Sequence, residues 1–321
     1  MSGITRWGTT IPLVGLPLTD LSESCRELED LGYTDLWSAE ATGTDGVTPL
    51  AVAAASTQHA HLGIAIASVF TRGPALLAQT AATLASIAPG RFTMGLGASS
   101  SVLVHDWNAT EFVKPLSRCR DVLRFLRSAL AGERVTQEYD TFRVDGVRID
   151  QVPEIPPTLL LAGLRGRMLR LAGQEADGAI LNWLSAEDVT RVAPLVHETG
   201  PREVVARLMV APTAEVEQAR ATARRLIAAY LNVPVYREFH RWLGREELEP
   251  MWRLWSAGDR RGALDAIPHA VVDDLVLHGP PGKIREQIAA YTQQGVTVPI
   301  SMLLPLEGVD PMQAARELAP R

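Results

Sequence analysis

The chain has 321 residues, of which 46% are hydrophobic, and a formal net charge of −6 at pH 7. This length is enough for a large core and fits one α/β barrel as well as two smaller domains. The acidic balance argues against a nucleic-acid-binding surface. No apolar run approaches the roughly 20 residues that span a bilayer, and the N-terminal residues MSGITRWG lack a signal-peptide pattern, so we expect a cytoplasmic protein without membrane contact.

Apolar runs alternate with helical periodicities over the first 130 residues. The predicted strands are 7–11, 33–38, 62–67 and 92–96, and the predicted helices are 21–31, 48–58, 75–87 and 117–130. The segment 62–97 is the clearest unit, because Pro74 opens its helix and Pro89-Gly90 ends it. This order predicts two parallel strands joined by a crossover helix, both ending in small residues at the edge where ligands bind.

The second half repeats the alternation. Strands are predicted at 158–162, 178–182, 203–210 and 296–302, and helices at 165–175, 186–197, 268–277 and 281–293. Between them, residues 135–151 predict an antiparallel hairpin that turns at Asp145-Gly146, and residues 213–266 a broken helical stretch. The pattern predicts one (β/α)8 TIM-barrel domain over residues 1–321, with a β-hairpin inserted before strand 5 and a helical insertion after strand 7.

The turn after strand 158–162 predicts a phosphate site. It consists of Gly163, Leu164, Arg165, Gly166 and Arg167. A strand that leads directly into a helix presents free backbone N–H groups and the positive helix end to an anion. Arg165 or Arg167 adds a charge-assisted contact. The alternative is a plain glycine-bearing turn with solvated arginines.

The cysteines and the adjacent histidine pair predict neither a disulfide nor a metal site. Cys25 and Cys119 each lie within a predicted helix, which favours buried, reduced thiols. His59 and His61 alternate, but no acidic or thiol partner has ligand spacing.

Four segments in order resemble the bacterial-luciferase-like superfamily, most closely its branch that uses the deazaflavin coenzyme F420. They are GYTDLWSAE (32–40), LGIAIASVFTRGP followed by GRFTMGLG (62–97), LLLAGLRGRMLRLAGQEADGAILNW (159–183) and, more weakly, HGPPGKIREQIAAYTQQGVTVPI (278–300). The resemblance implies an F420-dependent oxidoreductase that transfers a hydride between the deazaflavin and a small organic substrate. The alternatives are an FMN-dependent two-component monooxygenase of the same fold and a non-catalytic cofactor-binding protein.

The resemblance also implies roles for individual residues. A non-prolyl cis peptide at Ala65-Ile66 would form a bulge against the back of the (deaza)flavin ring, and the cofactor phosphate would bind at the 163–167 turn. Glu40 would accept hydrogen bonds from the ring, with Asp45 as a nearby alternative. The same carboxyl-end face would be lined by Ser68, Arg72, Gly97, Ala98 and Ser99.

Two positions depart from the relatives that oxidise alcohols and sugar phosphates. Those enzymes have a His directly after the position of Glu40 and a Glu three residues beyond the last Gly of the strand-4 motif. This chain has Ala41 and Ser100. Oxidation of an alcohol needs a base for the hydroxyl proton. Their loss favours hydride donation from the reduced cofactor to an electron-poor double bond, imine or carbonyl.

Three further aromatic or histidine positions carry open alternatives. Trp183 either walls the substrate cavity or packs in the core, and His105 is a candidate proton donor in the loop after strand 4. His240 lies in the helical insertion with Tyr230, Tyr236, Phe239 and Trp242. This aromatic stretch predicts a lid over the pocket, a homodimer interface or ordinary helical core packing.

Overall fold

The structure, a computed structural model, describes residues 6–320, so the first five residues of the N-terminal pattern discussed above lie outside it. Its strands are β1 (Gly8–Thr10), β2 (Asp35–Ser38), β3 (His61–Ser68), β4 (Phe92–Gly97), β5 (Val135–Glu138), β6 (Arg143–Val147), β7 (Thr158–Ala162), β8 (Gly178–Asn182), β9 (Glu203–Ala211), β10 (Val276–His278) and β11 (Val298–Leu303). Its α-helices are α1 (Leu21–Asp30), α2 (Thr48–Ser56), α3 (Pro74–Ile87), α4 (Pro115–Leu130), α5 (Gly166–Glu175), α6 (Ala186–Val196), α7 (Val216–Leu231), α8 (Pro234–Trp242), α9 (Glu249–Ser256), α10 (Arg260–Asp265), α11 (His269–Leu275), α12 (Pro281–Gln293) and α13 (Pro311–Leu318).

Eight parallel strands close into a barrel in the order β1, β2, β3, β4, β7, β8, β9 and β11, with β11 pairing back onto β1. Helices follow the strands and pack on the outside, because each strand alternates an outward apolar residue with an inward one. In β3, for example, Leu62 and Ile64 join the large outer core that also contains Leu77 of α3. The predicted (β/α)8 TIM barrel is confirmed.

The barrel interior has a floor of large side chains. A separate apolar cluster is formed by inward-facing residues, namely Trp37, Leu160, Ile180, Val205, Val298 and Ile300. Gly63 lies directly against the Trp37 indole, since a Cβ added at Gly63 would be 2.5 Å from the ring. Residues two positions further along the same strands therefore face inward above this floor, at the carboxyl end.

The amino-terminal end of the barrel interior holds paired charges. Arg6 lies between the carboxylates of Asp35 and Glu203, and its Nη1 is 2.9 Å from Glu203 Oε2. His61 Nε2 is 2.7 Å from Thr93 Oγ1. Burial, together with the Arg6 charge, lowers the pKa of His61 to about 4. His61 is therefore a neutral part of this polar end at pH 7.

The β-hairpin insertion is present, but its predicted turn is wrong. The chain turns between β5 and β6, where Tyr139 N–H donates to the Phe142 carbonyl at 2.8 Å. Asp145-Gly146 lies inside β6, at a register shift. Gly146 has a φ of +65°, so this glycine adopts its left-handed conformation in a bulge and not in a turn.

Two elements near the C-terminus differ from the prediction. The segment 268–277, predicted as one helix, is α11 followed at once by β10, which pairs with Met209–Ala211 of β9. The helix α13 was not predicted. The Asp310 carboxylate accepts a hydrogen bond from Gln313 N–H at 2.6 Å and so caps it. The broken helical stretch predicted over residues 213–266 is present as α7 to α10.

Both cysteines are buried within helices, as predicted. Burial raises the pKa of the Cys25 and Cys119 thiols to about 12, so both are protonated at pH 7. Among residues 6–320, no helix is long and apolar enough to span a membrane.

Candidate active site

The carboxyl end of β3 carries the predicted bulge. Its pairing with β4 shifts register between Ile64 and Ala67, and the Ala65–Ile66 peptide bond is cis. Ala65 and Ile66 are partly exposed and pack at the edge of the barrel-floor cluster. The backbone geometry predicted at Ala65-Ile66 is confirmed. Its contact with a cofactor ring stays a prediction.

Small residues keep the barrel mouth open beside this bulge. Gly97 ends β4, and a Cβ there would be 2.5 Å from Ile66 Cδ1 and 3.3 Å from Ala162 Cβ. Gly97 therefore gives the Ile66 side chain its space, and Ala162 leaves room on the opposite side. Apart from Ile66, the residues that meet here are small, which suits a flat ring lying on the bulge.

Glu40 and Arg72 form an ion pair at the rim of the mouth. Arg72 Nη2 is 2.5 Å from Glu40 Oε1, which also accepts from Gly46 N–H at 3.2 Å. Asp45 instead accepts from the N–H groups of Val47 and Thr48, both at 2.9 Å. Burial raises the pKa of Asp45, but these hydrogen bonds and the Arg72 charge outweigh it, so the pKa is lowered. Asp45 thus holds the start of α2, whereas Glu40 is held in place beside the mouth.

The predicted phosphate turn leads from β7 into α5. Gly163 N–H donates to the Ile180 carbonyl at 3.2 Å, and the helix begins at Gly166. No side chain of the described residues caps this helix, so its first N–H groups are free for an anion. Arg165 and Arg167 are exposed beside it, and Arg165 Nη1 is 3.8 Å from Glu238 Oε2.

The last residue of β3 and the residues after β4 lie at the same end of the barrel. Ser68 is buried, and its Oγ accepts from Phe70 N–H at 3.2 Å. Ala98 and Ser99 follow β4 and are partly exposed. His105 lies in a π-helical turn, Val102–Trp107, with its side chain 69% exposed and its Nδ1 2.9 Å from the Asp106 carboxylate. The structure therefore places the His105 side chain at the protein surface.

Trp183 is buried directly after β8. It is 1% exposed, its φ is +55°, and its ring lies 5.2 Å from that of Tyr230 in α7. Its Nε1 has no hydrogen-bond partner in the described part of the chain. Trp183 therefore packs between the barrel and the helical insertion, which is the core-packing alternative.

Sequence reasoning missed a polar group at the mouth. Asn182 of β8 pairs in register with Arg207 of β9, and both face inward, two positions above Ile180 and Val205. Asn182 Nδ2 donates to Tyr236 Oη at 3.0 Å, which ties α8 to the barrel. The available signal was Arg207 itself, a charged residue at an inward position of a buried strand.

Comparisons with known proteins agree with this architecture. The luciferase-like monooxygenase family matches residues 4–298. The chain belongs to this family. A Mycobacterium tuberculosis protein named provisionally as a coenzyme F420-dependent oxidoreductase is 27% identical over 88% of this chain and 90% of its own.

Solved structures show the same luciferase-like fold. The coenzyme F420-dependent tetrahydromethanopterin reductase of Methanopyrus kandleri has a TM-score of 0.78 at 19% identity, covering 98% of this chain and 97% of its own. The oxygenating constituent of 3,6-diketocamphane monooxygenase from Pseudomonas putida, solved with FMN, has a TM-score of 0.67 at 16% identity, covering 98% and 96%. These relatives are oxidoreductases that use a deazaflavin or a flavin.

The helical insertion of this luciferase-like barrel is anchored beside the mouth. His240 is fully buried, and neither ring nitrogen has a partner among residues 6–320. Burial and the nearby Arg245 charge lower its pKa to about 3, so the ring is a neutral core residue. The Arg245 guanidinium forms a buried ion pair with Asp188, 2.8 Å away at the start of α6. Of the alternatives for this stretch, His240 shows core packing, while Tyr236 reaches the mouth.

A cavity of about 590 Å³ lies at the opposite end of the barrel. It is bounded by residues that precede β8 and β9, including Asp177 and Arg202. Asp177 accepts from Arg127, 2.7 Å away. Ligands of TIM barrels bind at the carboxyl ends of the strands, so this cavity is not the candidate active site.

Proposed function

We propose that the protein is a coenzyme F420-dependent oxidoreductase that transfers a hydride from the reduced deazaflavin to a small organic substrate. The observation that carries this proposal is one barrel end that holds both the Ala65–Ile66 bulge and the uncapped N-terminus of α5. The first suits a flat ring and the second a phosphate. The name of the mycobacterial relative supports F420 as the cofactor.

The residues at the mouth fit such a ligand. Gly97 accommodates the Ile66 side chain of the bulge, Ala162 is small, and Glu40 offers a carboxylate oxygen to ring N–H donors while Arg72 holds its Oε1. Buried polar atoms there lack partners in the described chain, namely Thr10 Oγ1, Asn182 Oδ1 and Arg207 Nε. When bound, F420 supplies two-electron hydride chemistry at carbon 5 of its ring.

The protein itself would bind and orient the cofactor and the substrate, and it would exclude water from them. The free N–H groups at the start of α5, with Arg165 and Arg167, would hold the cofactor phosphate. Tyr230 and Tyr236 of the insertion cover the side of β8 and β9, where a substrate would meet the exposed ring face. Ala41 and Ser100 provide no general base, which supports reduction of an electron-poor double bond, imine or carbonyl.

An FMN-dependent monooxygenase is the second candidate, because the FMN-bound structure shares this fold and the turn before α5 would hold a flavin phosphate equally well. Titration of the protein with F420 and with FMN, followed by ligand fluorescence, separates the two. Phosphate-free counterparts, the deazaflavin nucleoside analogue and riboflavin, test the turn. We expect F420 to bind at micromolar concentration and its phosphate-free counterpart at least about tenfold more weakly, as for loss of charged hydrogen bonds.

Two variants locate the site. A Cβ at Gly163 would be 3.2 Å from Leu169 Cδ2 and from Leu169 N, so Gly163→Val displaces the first turn of α5 and should weaken F420 binding. The control is Arg170→Gln, an exposed position one turn further along α5. Binding of FMN alone would move the protein to the monooxygenase branch. Binding of neither ligand would overturn the proposed function and leave the fold unaffected.

A further inference from the structure

Arg207 is an inward-facing cation near the barrel mouth. It lies on β9 two positions above Val205, which belongs to the barrel floor, and four positions before the strand ends at Ala211. In the register of the sheet its neighbour on β8 is Asn182. The guanidinium therefore lies at the same end of the barrel as the Ala65–Ile66 bulge.

The described part of the chain provides no counter-ion for this cation. Within residues 6–320, no carboxylate lies within 4.0 Å of Arg207, and its buried Nε has no acceptor. Its Nη2 contacts the sulfur of Met302, a weak acceptor, and its other polar neighbours are the hydroxyls of Tyr230 and Tyr236. Burial lowers the pKa of Arg207 from its usual range, which reports the cost of desolvating the charge.

Arg6 and Arg245, in contrast to Arg207, are paired with carboxylates. Arg6, on the axis at the opposite end, contacts both Asp35 and Glu203. Arg245, within the helical insertion, pairs with Asp188 at 2.8 Å. An uncompensated guanidinium is costly in the interior, and a planar two-oxygen anion satisfies it best. A ligand that carries such an anion would supply what Asp35 and Asp188 supply elsewhere.

The neighbours of Arg207 fit the same ligand. Because Asn182 Nδ2 donates to Tyr236 Oη, the Tyr236 hydroxyl hydrogen is free to be donated. A carboxylate against Arg207 would then accept from the guanidinium and from Tyr236. We propose that Arg207 binds the carboxylate of the substrate, so that this oxidoreductase acts on organic acids. The inference rests on the proposed function and names its substrate class.

The test uses isosteric acid and amide pairs and needs no cofactor. The probes are acetate, benzoate and cinnamate against acetamide, benzamide and cinnamamide, with binding measured by calorimetry and by the shift in Tm. In the wild-type protein we expect each acid to bind about tenfold or more tightly than its amide, as for hydrogen bonds to a charged group. The preference should vanish in Arg207→Met and survive in part in Arg207→Lys.

The controls separate this inference from its alternatives. Arg225→Met removes an exposed arginine of the insertion and should keep the preference. Without ligand, Arg207→Met should raise Tm, because it removes an uncompensated buried charge. If that variant fails to fold, the inference can still be tested by comparing acid and amide binding in the wild type and in Arg207→Lys.

Three outcomes would overturn the inference. They are equal binding of acids and amides by the wild type, absence of any acid binding, and a preference that survives in Arg207→Met. F420 titration is scored separately in every variant. Intact acid preference without F420 binding would sink the proposed function alone, whereas F420 binding that weakens in Arg207→Met with no acid preference would assign Arg207 to the cofactor.

Discussion

The buried ion pair between Asp188 and Arg245 should be a main anchor of the helical insertion. The side chains of the two residues are 9% and 8% exposed. At the observed 2.8 Å and an effective dielectric constant of about 20, their attraction is about 6 kcal/mol before desolvation is subtracted. In Asp188→Asn the amide oxygen can still accept from Ser185 N–H at the helix cap, but Arg245 is left as an unpaired buried cation. We expect a loss of about 3–5 kcal/mol in the free energy of unfolding.

Urea unfolding measures this loss directly, with an unchanged m-value showing that the two-state comparison holds. For a chain of 321 residues the corresponding fall in Tm is about 4–7 °C. The matched control is Glu198→Gln, which breaks a pair with Arg170 at 2.9 Å that is 41% and 45% exposed, and should cost less than about 1 kcal/mol. The double variant Asp188→Asn with Arg245→Met should recover part of the stability. A single variant no weaker than the control, or a double variant that recovers nothing, would refute the reasoning.

Three further predictions follow from described contacts. In Gly97→Val the added Cβ would lie 2.5 Å from Ile66 Cδ1, so the Ile66 side chain must move. F420 affinity, measured by fluorescence titration, should fall at least about tenfold. An unchanged affinity would show that Gly97 and Ile66 do not contact the ligand. His240 is neutral, and its folded pKa of about 3 is below the ordinary 6.5, so its stabilising contribution is full above pH 6.5 and is lost as the pH falls towards 3. His240→Leu should therefore flatten the loss of unfolding free energy between pH 7 and pH 4, and an identical slope in both proteins would count against it. Cys25 and Cys119 should resist a thiol reagent at pH 8 in the folded protein and react only in denaturant, because burial raises the pKa of each to about 12; rapid reaction of either in the native state would contradict this.

The barrel was predictable because its signals are local. Strands 158–162 and 178–182 have the bounds predicted for them, since each is a short apolar run between turn residues. The hairpin turn was not predictable from Asp145-Gly146. That dipeptide fixes a left-handed backbone at Gly146, but a bulge uses it as readily as a turn does, and here Gly146 N–H donates to Thr136 Oγ1 at 2.7 Å. β10 was not predicted because its three residues, Val276–His278, follow α11 without a turn between them.

The candidate site likewise has parts that were predictable from one stretch of sequence and parts that were not. The Ala65–Ile66 bulge and the α5 turn each lie within one continuous stretch, and the structure shows at Ala65–Ile66 the cis peptide that the family resemblance implies. The group of Asn182, Arg207 and Tyr236 joins two strands to an insertion, with 54 residues between Asn182 and its hydrogen-bond partner. Strand alternation indicates that Arg207 faces inward, but only the assembled barrel shows that no carboxylate of the described chain accompanies it.

The contact between Gly63 and Trp37 constrains how this sequence can vary among its descendants. The indole occupies the space into which any side chain at Gly63 would project, so the two positions form one unit on the barrel floor. A lineage that gains a side chain at Gly63 must first exchange Trp37 for a smaller residue, and the reverse exchange requires glycine to be restored beforehand. Each step taken in the wrong order would pass through an overpacked floor. Paired substitution at these positions, in that order, is the pattern that reconstructed ancestors of this chain should show.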